Sequence, residues 1–148
     1  MEPGLRIRFW WHDTDVVEVN ISASNGAFSG SAMAYIDQDD PQKAATILEG
    51  FPKTTSDTRE IGFGTVDPLS AGGGVVMRFF CTDSAGHAAV ELRLRDEESP
   101  VSNRWTRPGQ TAHFFADVEA SAIDDFVREL RAFDPYESGL AFLRFGSR

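Results

Sequence analysis

The chain has 148 residues, of which 41% are hydrophobic, and its 23 acidic and 14 basic residues give a formal charge of −9. This length suits one domain with its own hydrophobic core, so residues 1–148 are predicted to form a single domain. The acidic balance repels phosphate backbones and argues against nucleic-acid binding. No apolar run approaches the roughly 18 residues of a membrane span, and no signal peptide is recognisable, so we expect a cytoplasmic protein without a membrane partner.

The first 36 residues contain three runs with the pattern of β-strands, at 5–11, 15–24 and 27–36. Asn25-Gly26 lies between the second and third runs and favours a two-residue type I′ turn. That turn pairs Ala23 with Phe28 and gives the hairpin one apolar and one mostly polar face. Such a pattern is typical of an antiparallel pair that buries one side.

Two stretches favour helices. "DDPQKAATILEGFP" predicts a short helix with Asp40 as N-cap and Pro41 at its first position, and its apolar stripe would comprise Ala44, Ile47, Leu48 and Phe51. "ASAIDDFVRELRAFDP" has the clearest helical spacing, with one apolar face made of Ile123, Phe126, Val127, Leu130 and Phe133. Asp124 and Arg128 are expected to pair on its polar side.

Strand-like patterns also occur at 58–66, 75–82, 87–96 and 105–116, and in the terminal run "GLAFLRF". "DPLSAGGG" predicts a mobile connection, and "DEESPVSN" predicts a polar loop. Hairpins, rather than helical crossovers, would join most of the strands. We therefore expect an α+β fold: a mainly antiparallel sheet of six to eight strands with two helices packed on one face.

The stretch "CTDSAGHAAVELRLR" resembles a catalytic site more than any other, because it holds Cys81, Asp83, Ser84 and His87. If the four residues before His87 form a turn, Cys81 pairs with Ala88 on the apolar face and His87 lies on the other side. A nucleophile and its base must lie within hydrogen-bond reach, so this register excludes a Cys81–His87 dyad. Ser84 lacks oxyanion donors and a buried group to orient His87. The stretch therefore predicts a structural hairpin with Cys81 directed into the core.

Other groups are weaker candidates for chemistry. His12, Asp13 and Asp15 are metal-binding residue types, but their spacing also suits a β-turn and no second cluster completes a site. The glycine-rich pieces lack the further residues of a dinucleotide or phosphate loop. The sequence thus predicts no catalytic residue, no metal site and no cofactor, and it leans away from an enzyme.

The sheet face turned away from the helices carries aromatic, methionine and arginine side chains, a composition typical of interface centres. On this face Arg78 and Glu91 are expected to form a cross-strand ion pair. The candidate partner-binding residues are Met33, Tyr35, Arg78, Phe80, His87, Glu91, Arg93, His113 and Phe115. Two interpretations stay open: a protein partner binds this face, or residues 134–148 or a second copy of the chain cover it.

Three motifs, "NGAFSGSAMAYI", "DSAGHAAVELRL" and "EASAIDDFVRELRAF", resemble those of a group of small bacterial α+β proteins of unknown function. Acidic single-domain proteins of this sort also resemble immunity proteins, which neutralise a bacterial toxin by binding it. The resemblance brings no catalytic residues. It implies a non-enzymatic, immunity-like module that binds a protein partner or a second copy of itself. The alternative is a small-molecule-binding or enzymatic domain with a pocket between sheet and helices.

Overall fold

The computed structural model describes residues 2–100 and 102–146. In chain order the elements are β1 (Gly4–His12), β2 (Val17–Ser24), β3 (Ser29–Ile36), α1 (Asp40–Leu48), β4 (Thr58–Gly64), β5 (Gly74–Cys81), β6 (Ala88–Asp96), β7 (Ser99–Pro100), β8 (Thr106–Arg107), β9 (Gln110–Val118), α2 (Ala120–Arg131) and β10 (Leu140–Arg144). The strands that pair do so in the antiparallel sense. The predicted α+β class with antiparallel strands is confirmed.

Eight of the strands are divided between two four-stranded sheets. The first sheet has the order β10-β1-β2-β3 and the second has the order β4-β5-β6-β9, while β7 and β8 form a separate two-stranded ribbon. The eight strands agree with the predicted number of six to eight, but they form two sheets instead of one. β7 lies within the predicted polar loop "DEESPVSN", of which Val101 lies outside the described residues. β8 lies at the start of the predicted strand 105–116, which the structure divides into β8 and β9.

The two sheets meet at β3, which contacts all four strands of the second sheet. Small residues allow this approach: a Cβ atom on Gly30 would lie 2.9 Å from the Cβ of Ala112, closer than real Cβ atoms come. The two layers are also joined through their backbones. The N–H of Gly73 donates to the carbonyl of Met33 at 3.1 Å, and Ala34 and Gly73 form an isolated parallel bridge.

The helices contact one edge strand of each sheet. They pack against each other, α2 contacts β10 of the first sheet, and α1 contacts β4 of the second. The inward side chains of both sheets and both helices form one hydrophobic cluster. The predicted apolar face of α2 is confirmed, because Ile123, Phe126, Val127 and Leu130 are buried on the helix, and Phe133, two residues beyond its end, is buried as well. Neither helix of the described residues is long and apolar enough to cross a membrane.

Some details of the helices differ from the sequence-based expectation. The N-cap of α1 is Asp39 rather than Asp40. Ile47, which was predicted to belong to the apolar stripe of α1, is 45% exposed. The buried side of the helix consists instead of Pro41, Ala44, Ala45 and Leu48. On α2, Arg128 pairs with Asp125 at 2.9 Å instead of with Asp124.

The β2–β3 hairpin keeps its predicted faces but has a four-residue turn, 25–28, instead of two residues. Ala23 therefore pairs with Gly30, not with Phe28. The side chain of Asn25 causes the wider turn, since its Oδ1 accepts the N–H groups of Ala27 at 2.9 Å and of Phe28 at 2.8 Å. A shift of two residues leaves the same strand positions buried, but it moves Phe28 into the turn, where it is 65% exposed.

The β5–β6 hairpin has the predicted register, with Cys81 opposite Ala88 and Arg78 opposite Glu91. Gly86 has a φ of 87°, which a glycine adopts at little cost, and it allows the chain to turn back. Cys81 is partly buried and packs against the hydrophobic cluster. The predicted inward direction of Cys81 is confirmed, although its burial is incomplete.

The glycines at the end of "DPLSAGGG" are held in place, contrary to the expectation of a mobile connection. Nη1 of Arg95 donates to the carbonyl of Gly72 at 2.8 Å, and the N–H of Gly72 donates to Oε2 of Glu97 at 2.9 Å. A Cβ atom on Gly73 would collide with the carbonyl oxygens of Arg95 and Met33. Glycine is therefore required here by close packing and not by flexibility.

Candidate functional site

The nine predicted partner-binding residues lie on two sheets. Met33 and Tyr35 belong to β3 of the first sheet, and their side chains point away from the second sheet. The other seven belong to the second sheet or to its β5–β6 turn: Arg78, Phe80, His87, Glu91, Arg93, His113 and Phe115. The structure thus does not bring Met33 and Tyr35 together with the rest. The cause is the division into two layers, which the hairpin pattern alone does not reveal.

The side of the second sheet that points away from the core is called the outer face below. It comprises the side chains of Glu60, Val76, Arg78, Phe80, Glu91, Arg93, His113 and Phe115. Of the predicted cover 134–148, residues 140–144 pair with β1 of the first sheet instead, whereas Gly146 reaches β9 through its N–H, which donates to the carbonyl of Asp117. Residues 147 and 148 lie outside the described residues.

Glu91 lies at the centre of the outer face and binds three basic side chains. Nε of Arg78 donates to its Oε1 at 2.9 Å, and Nε2 of His113 lies 2.6 Å from its Oε2. Arg93 approaches the same Oε2 at 3.6 Å. The hydrogen bond with His113, followed by that with Arg78, holds the pKa of Glu91 below its ordinary value. The side chain of Glu91 is only 13% exposed, so it lies beneath the more exposed basic groups and fixes their positions.

Two phenylalanine rings extend this cluster. The guanidinium of Arg78 lies 4.5 Å from the ring centroid of Phe80. Phe80 meets Phe115 edge to face, with a centroid separation of 6.3 Å and an angle of 87°. The ring of His113 lies 5.6 Å from that of Phe115. The arginine, the histidine and the two rings therefore form one connected patch, in which Arg78 is fixed by both an ionic and an aromatic neighbour.

A shallow depression lies beside this patch. Its volume is about 310 Å³, and it is lined by Glu60, Val66, Val76, Arg78, Glu91 and Arg93. The lining contains two carboxylates, Glu60 and Glu91, and two guanidiniums, Arg78 and Arg93, so it offers both signs of charge to a ligand.

His87 is engaged in a pair that the sequence did not predict. Its Nδ1 lies 2.5 Å from Oδ2 of Asp83, while Oδ1 of Asp83 accepts the N–H of Ala85 at 2.9 Å. This pairing lowers the pKa of Asp83 and raises the pKa of His87. No hydroxyl or thiol of the described residues donates to the His87 ring, and the Cys81 thiol is instead 3.9 Å from the carbonyl of Thr54. The predicted absence of a Cys81–His87 dyad agrees with this geometry.

Two larger depressions lie along β9, and the Asp83–His87 pair lines one of them. One has a volume of about 600 Å³ and is lined by Thr82, Asp83, Gly86, His87, Ala88, Asp117, Val118, Glu119, Ala120 and Gly146. The other has a volume of about 340 Å³ and is lined by Asn25, Ala27, Phe28, His113, Phe114, Phe115, Ala116, Asp117 and Gly146. Asp117 and Gly146 line both, so the two depressions are neighbours along β9, and together they are called the groove below.

The groove contains residues that the sequence analysis did not single out. Asp117 follows Phe115 by two positions on β9 and therefore lies on the same side of the sheet, so strand alternation could have identified it. Phe28 could not be identified, because the two-residue turn placed it on the buried face. The Asp83–His87 pair also depends on the turn geometry and not on the strand pattern.

The metal-capable residues near the β1–β2 turn have structural roles. Oδ1 of Asp13 accepts the N–H groups of Asp15 and Val16, both at 2.8 Å, and these bonds lower the pKa of Asp13. The ring of His12 packs edge-on against Tyr136 at 5.4 Å. These contacts match the β-turn alternative.

A second acidic group surrounds the start of α1. The carboxylates of Asp37, Asp39 and Asp40 lie within 4.8 Å of one another. Oδ2 of Asp40 accepts the N–H of Asp37 at 2.9 Å, which fixes the entry to the helix. Burial of Asp40 raises its pKa.

The architecture is that of an α+β protein with two antiparallel sheets, whose second sheet presents a connected basic and aromatic patch. Comparisons with protein-family models, with curated proteins and with solved structures found no match.

Proposed function

We propose that this chain is a non-enzymatic protein-interaction module that binds a protein partner through the outer face of the second sheet. The Glu91-centred cluster carries the proposal. Arginine and aromatic residues dominate the energetics of protein interfaces, and here Arg78 lies between Glu91 and Phe80. Because its side chain is already ordered, Arg78 loses less conformational freedom when a partner binds.

The charge of the chain indicates what kind of partner is favoured. A formal charge of −9 accelerates association with a basic protein and disfavours association between two copies of the chain. Acidic single-domain proteins of this sort also resemble immunity proteins, which adds a specific candidate, a toxin that the module neutralises by binding. The product of the neighbouring reading frame is therefore the first partner to test.

A matched pair of double variants tests the proposal. Arg78→Ala with Phe80→Ser removes the stacked pair of the outer face. Arg6→Ala with Phe142→Ser is the control, because Arg6 lies 4.4 Å from the ring centroid of Phe142 in the same arrangement on the first sheet. Each protein is co-expressed with the neighbouring gene product and purified by affinity.

We expect the outer-face variant to lose the partner and the control variant to keep it, with both proteins folded by circular dichroism. If the outer-face variant captures the partner as well as the unmodified chain does, the assignment of this face is wrong. Light scattering of the purified chain separates binding of a different protein from self-association.

A second candidate function is small-molecule binding or catalysis near His87. The observation that favours it is the depression of about 600 Å³ next to the start of α2, with the Asp83–His87 pair in its wall. Thermal-shift screening against a small-molecule library tests it. A ligand that stabilises the unmodified chain but not His87→Ala would support this candidate, and the same stabilisation of both would contradict it.

A further inference from the structure

The groove along β9 has an exposed aromatic part. Phe28 is 65% exposed and Phe115 is 50% exposed, and both line the depression of about 340 Å³. Phenylalanine rings gain free energy when an apolar partner side chain removes them from water. The turn at 25–28 presents Phe28 to solvent because Asn25 fixes the backbone there. The groove is therefore suited to an apolar side chain.

The backbone of β9 is already occupied along this groove. Nδ2 of Asn25 donates to the carbonyl of Phe115 at 2.8 Å, and the N–H of Gly146 donates to the carbonyl of Asp117 at 2.7 Å. An added strand would need these carbonyls as acceptors. An occupant of the groove must therefore be recognised mainly through side chains.

The charge of the groove is negative. Asp83, Asp117 and Glu119 line its larger depression, and among the residues that the structure describes His87 is the only basic one in that lining. His87 is already paired with Asp83. The carboxylates of Asp117 and Glu119 form no ion pair within the described part of the chain. A cationic occupant would complement this charge.

We infer that the groove binds a basic segment of the protein partner, with an aromatic or aliphatic side chain between Phe28 and Phe115 and a lysine or arginine beside Asp117. This inference rests on the proposed function, since it names the part of the partner that meets the end of the outer face. Phe115 and His113 belong to both surfaces, so one partner can contact them together.

The test uses three fluorescein-labelled peptides and fluorescence anisotropy. The first peptide has four lysine or arginine residues and one tryptophan, the second replaces the tryptophan by serine, and the third replaces the basic residues by glutamate. We expect the first peptide to bind about tenfold more tightly than the second, because it alone supplies the apolar anchor. The third peptide should not bind measurably.

Three single variants locate the binding. We expect Phe28→Ser to weaken the first peptide about tenfold and Asp117→Asn to weaken it about threefold. Asp124→Asn is the control, because Asp124 is exposed on α2 and does not line the groove. Amide chemical shifts of the unmodified chain should change at residues 25–28 and 113–119.

Several results would overturn the inference. One is that the first peptide fails to bind, or that it binds no more tightly than the second peptide. Another is that Asp124→Asn weakens its binding as much as Asp117→Asn does. A third is that the amide chemical shifts change only at residues outside 25–28 and 113–119.

The capture experiment with the Arg78 and Phe80 variant is independent of these peptides. If the partner is still captured through the outer face while the peptide does not bind the groove, only the groove assignment fails. If capture does not depend on the outer face, the proposed function fails whatever the peptides do.

Discussion

Replacement of Leu130 by alanine is the sharpest test of how the helices support the fold. Leu130 lies on α2, has no exposed surface, and belongs to the cluster shared by both sheets and both helices. Its helix contacts both α1 and β10. Close packing against these neighbours limits how far they can move into a vacated space.

The expected cost follows from the atoms removed. Leu130→Ala deletes three carbons, and about 0.8 kcal/mol per carbon gives a transfer loss of about 2.4 kcal/mol. The cavity that remains adds to this loss, and measured leucine-to-alanine changes in rigid cores reach about 5 kcal/mol. We expect about 3–5 kcal/mol, a large part of the 5–15 kcal/mol that is typical of a domain.

Urea unfolding followed by circular dichroism measures this change. Asp124→Ala is the matched control on the same helix, because Asp124 is exposed, and its effect should stay within about 0.5 kcal/mol. A loss below about 1 kcal/mol for Leu130→Ala would refute the packing of α2 against α1 and β10.

Four further outcomes are expected. The pKa of His87 measured by NMR should lie above its ordinary value of 6.5, and Asp83→Asn should remove this increase. The pair therefore stabilises the fold at pH values below 6.5, and its contribution is lost as the pH rises through the raised pKa. The pKa of Glu91 is lowered, so its contribution to stability is present above its ordinary pKa of 4.5 and is lost as the pH falls through the lowered value. Glu91→Gln should reduce this acid dependence in urea titrations, and an unchanged pH profile would contradict the role of Glu91. Gly73→Ala should destabilise the chain by about 1–3 kcal/mol in thermal unfolding, because its Cβ meets two backbone carbonyls. Thiol reagents should label Cys81 more slowly in the native chain than in urea, since its side chain packs against the core.

Local patterns were sufficient for the β5–β6 hairpin and for α2. In the hairpin, a shift of one residue would have moved Phe79 from the core to the surface, so the alternation fixed the register. On α2, five apolar residues repeat at the helical period, and only one side of the helix can accept them. In both cases the information lies within about 20 residues of chain.

The division into two sheets was not predictable in the same way. It depends on which strands pair across the chain, such as β1 with β10 and β6 with β9, and these strands are far apart in sequence. The small residues of β3 fit an ordinary hairpin strand as well as a strand that lies across a second sheet. Their role depends on the packing of Gly30 against Ala112 of the second sheet, a contact between strands that are far apart in sequence.

The candidate site was predictable only where it follows strand alternation. Arg78 and Glu91 were expected to pair, and they do so at 2.9 Å. The contact between His113 and Glu91 needed the pairing of β6 with β9, and the groove needed a turn, a strand and residue 146 together. Sites assembled from several distant segments carry no local signal in a single sequence.

The alternation that builds the second sheet also separates stability from recognition. On β5, Met77 and Phe79 point inward and are fully buried, while Arg78 and Phe80 point outward. Because the inward side chains supply the burial that holds the two layers together, the outward ones can change without loss of the core. This separation is what makes the variants at Arg78 and Phe80 informative: a lost partner can then be attributed to the outer face, whereas a lost fold would point to the layer beneath it.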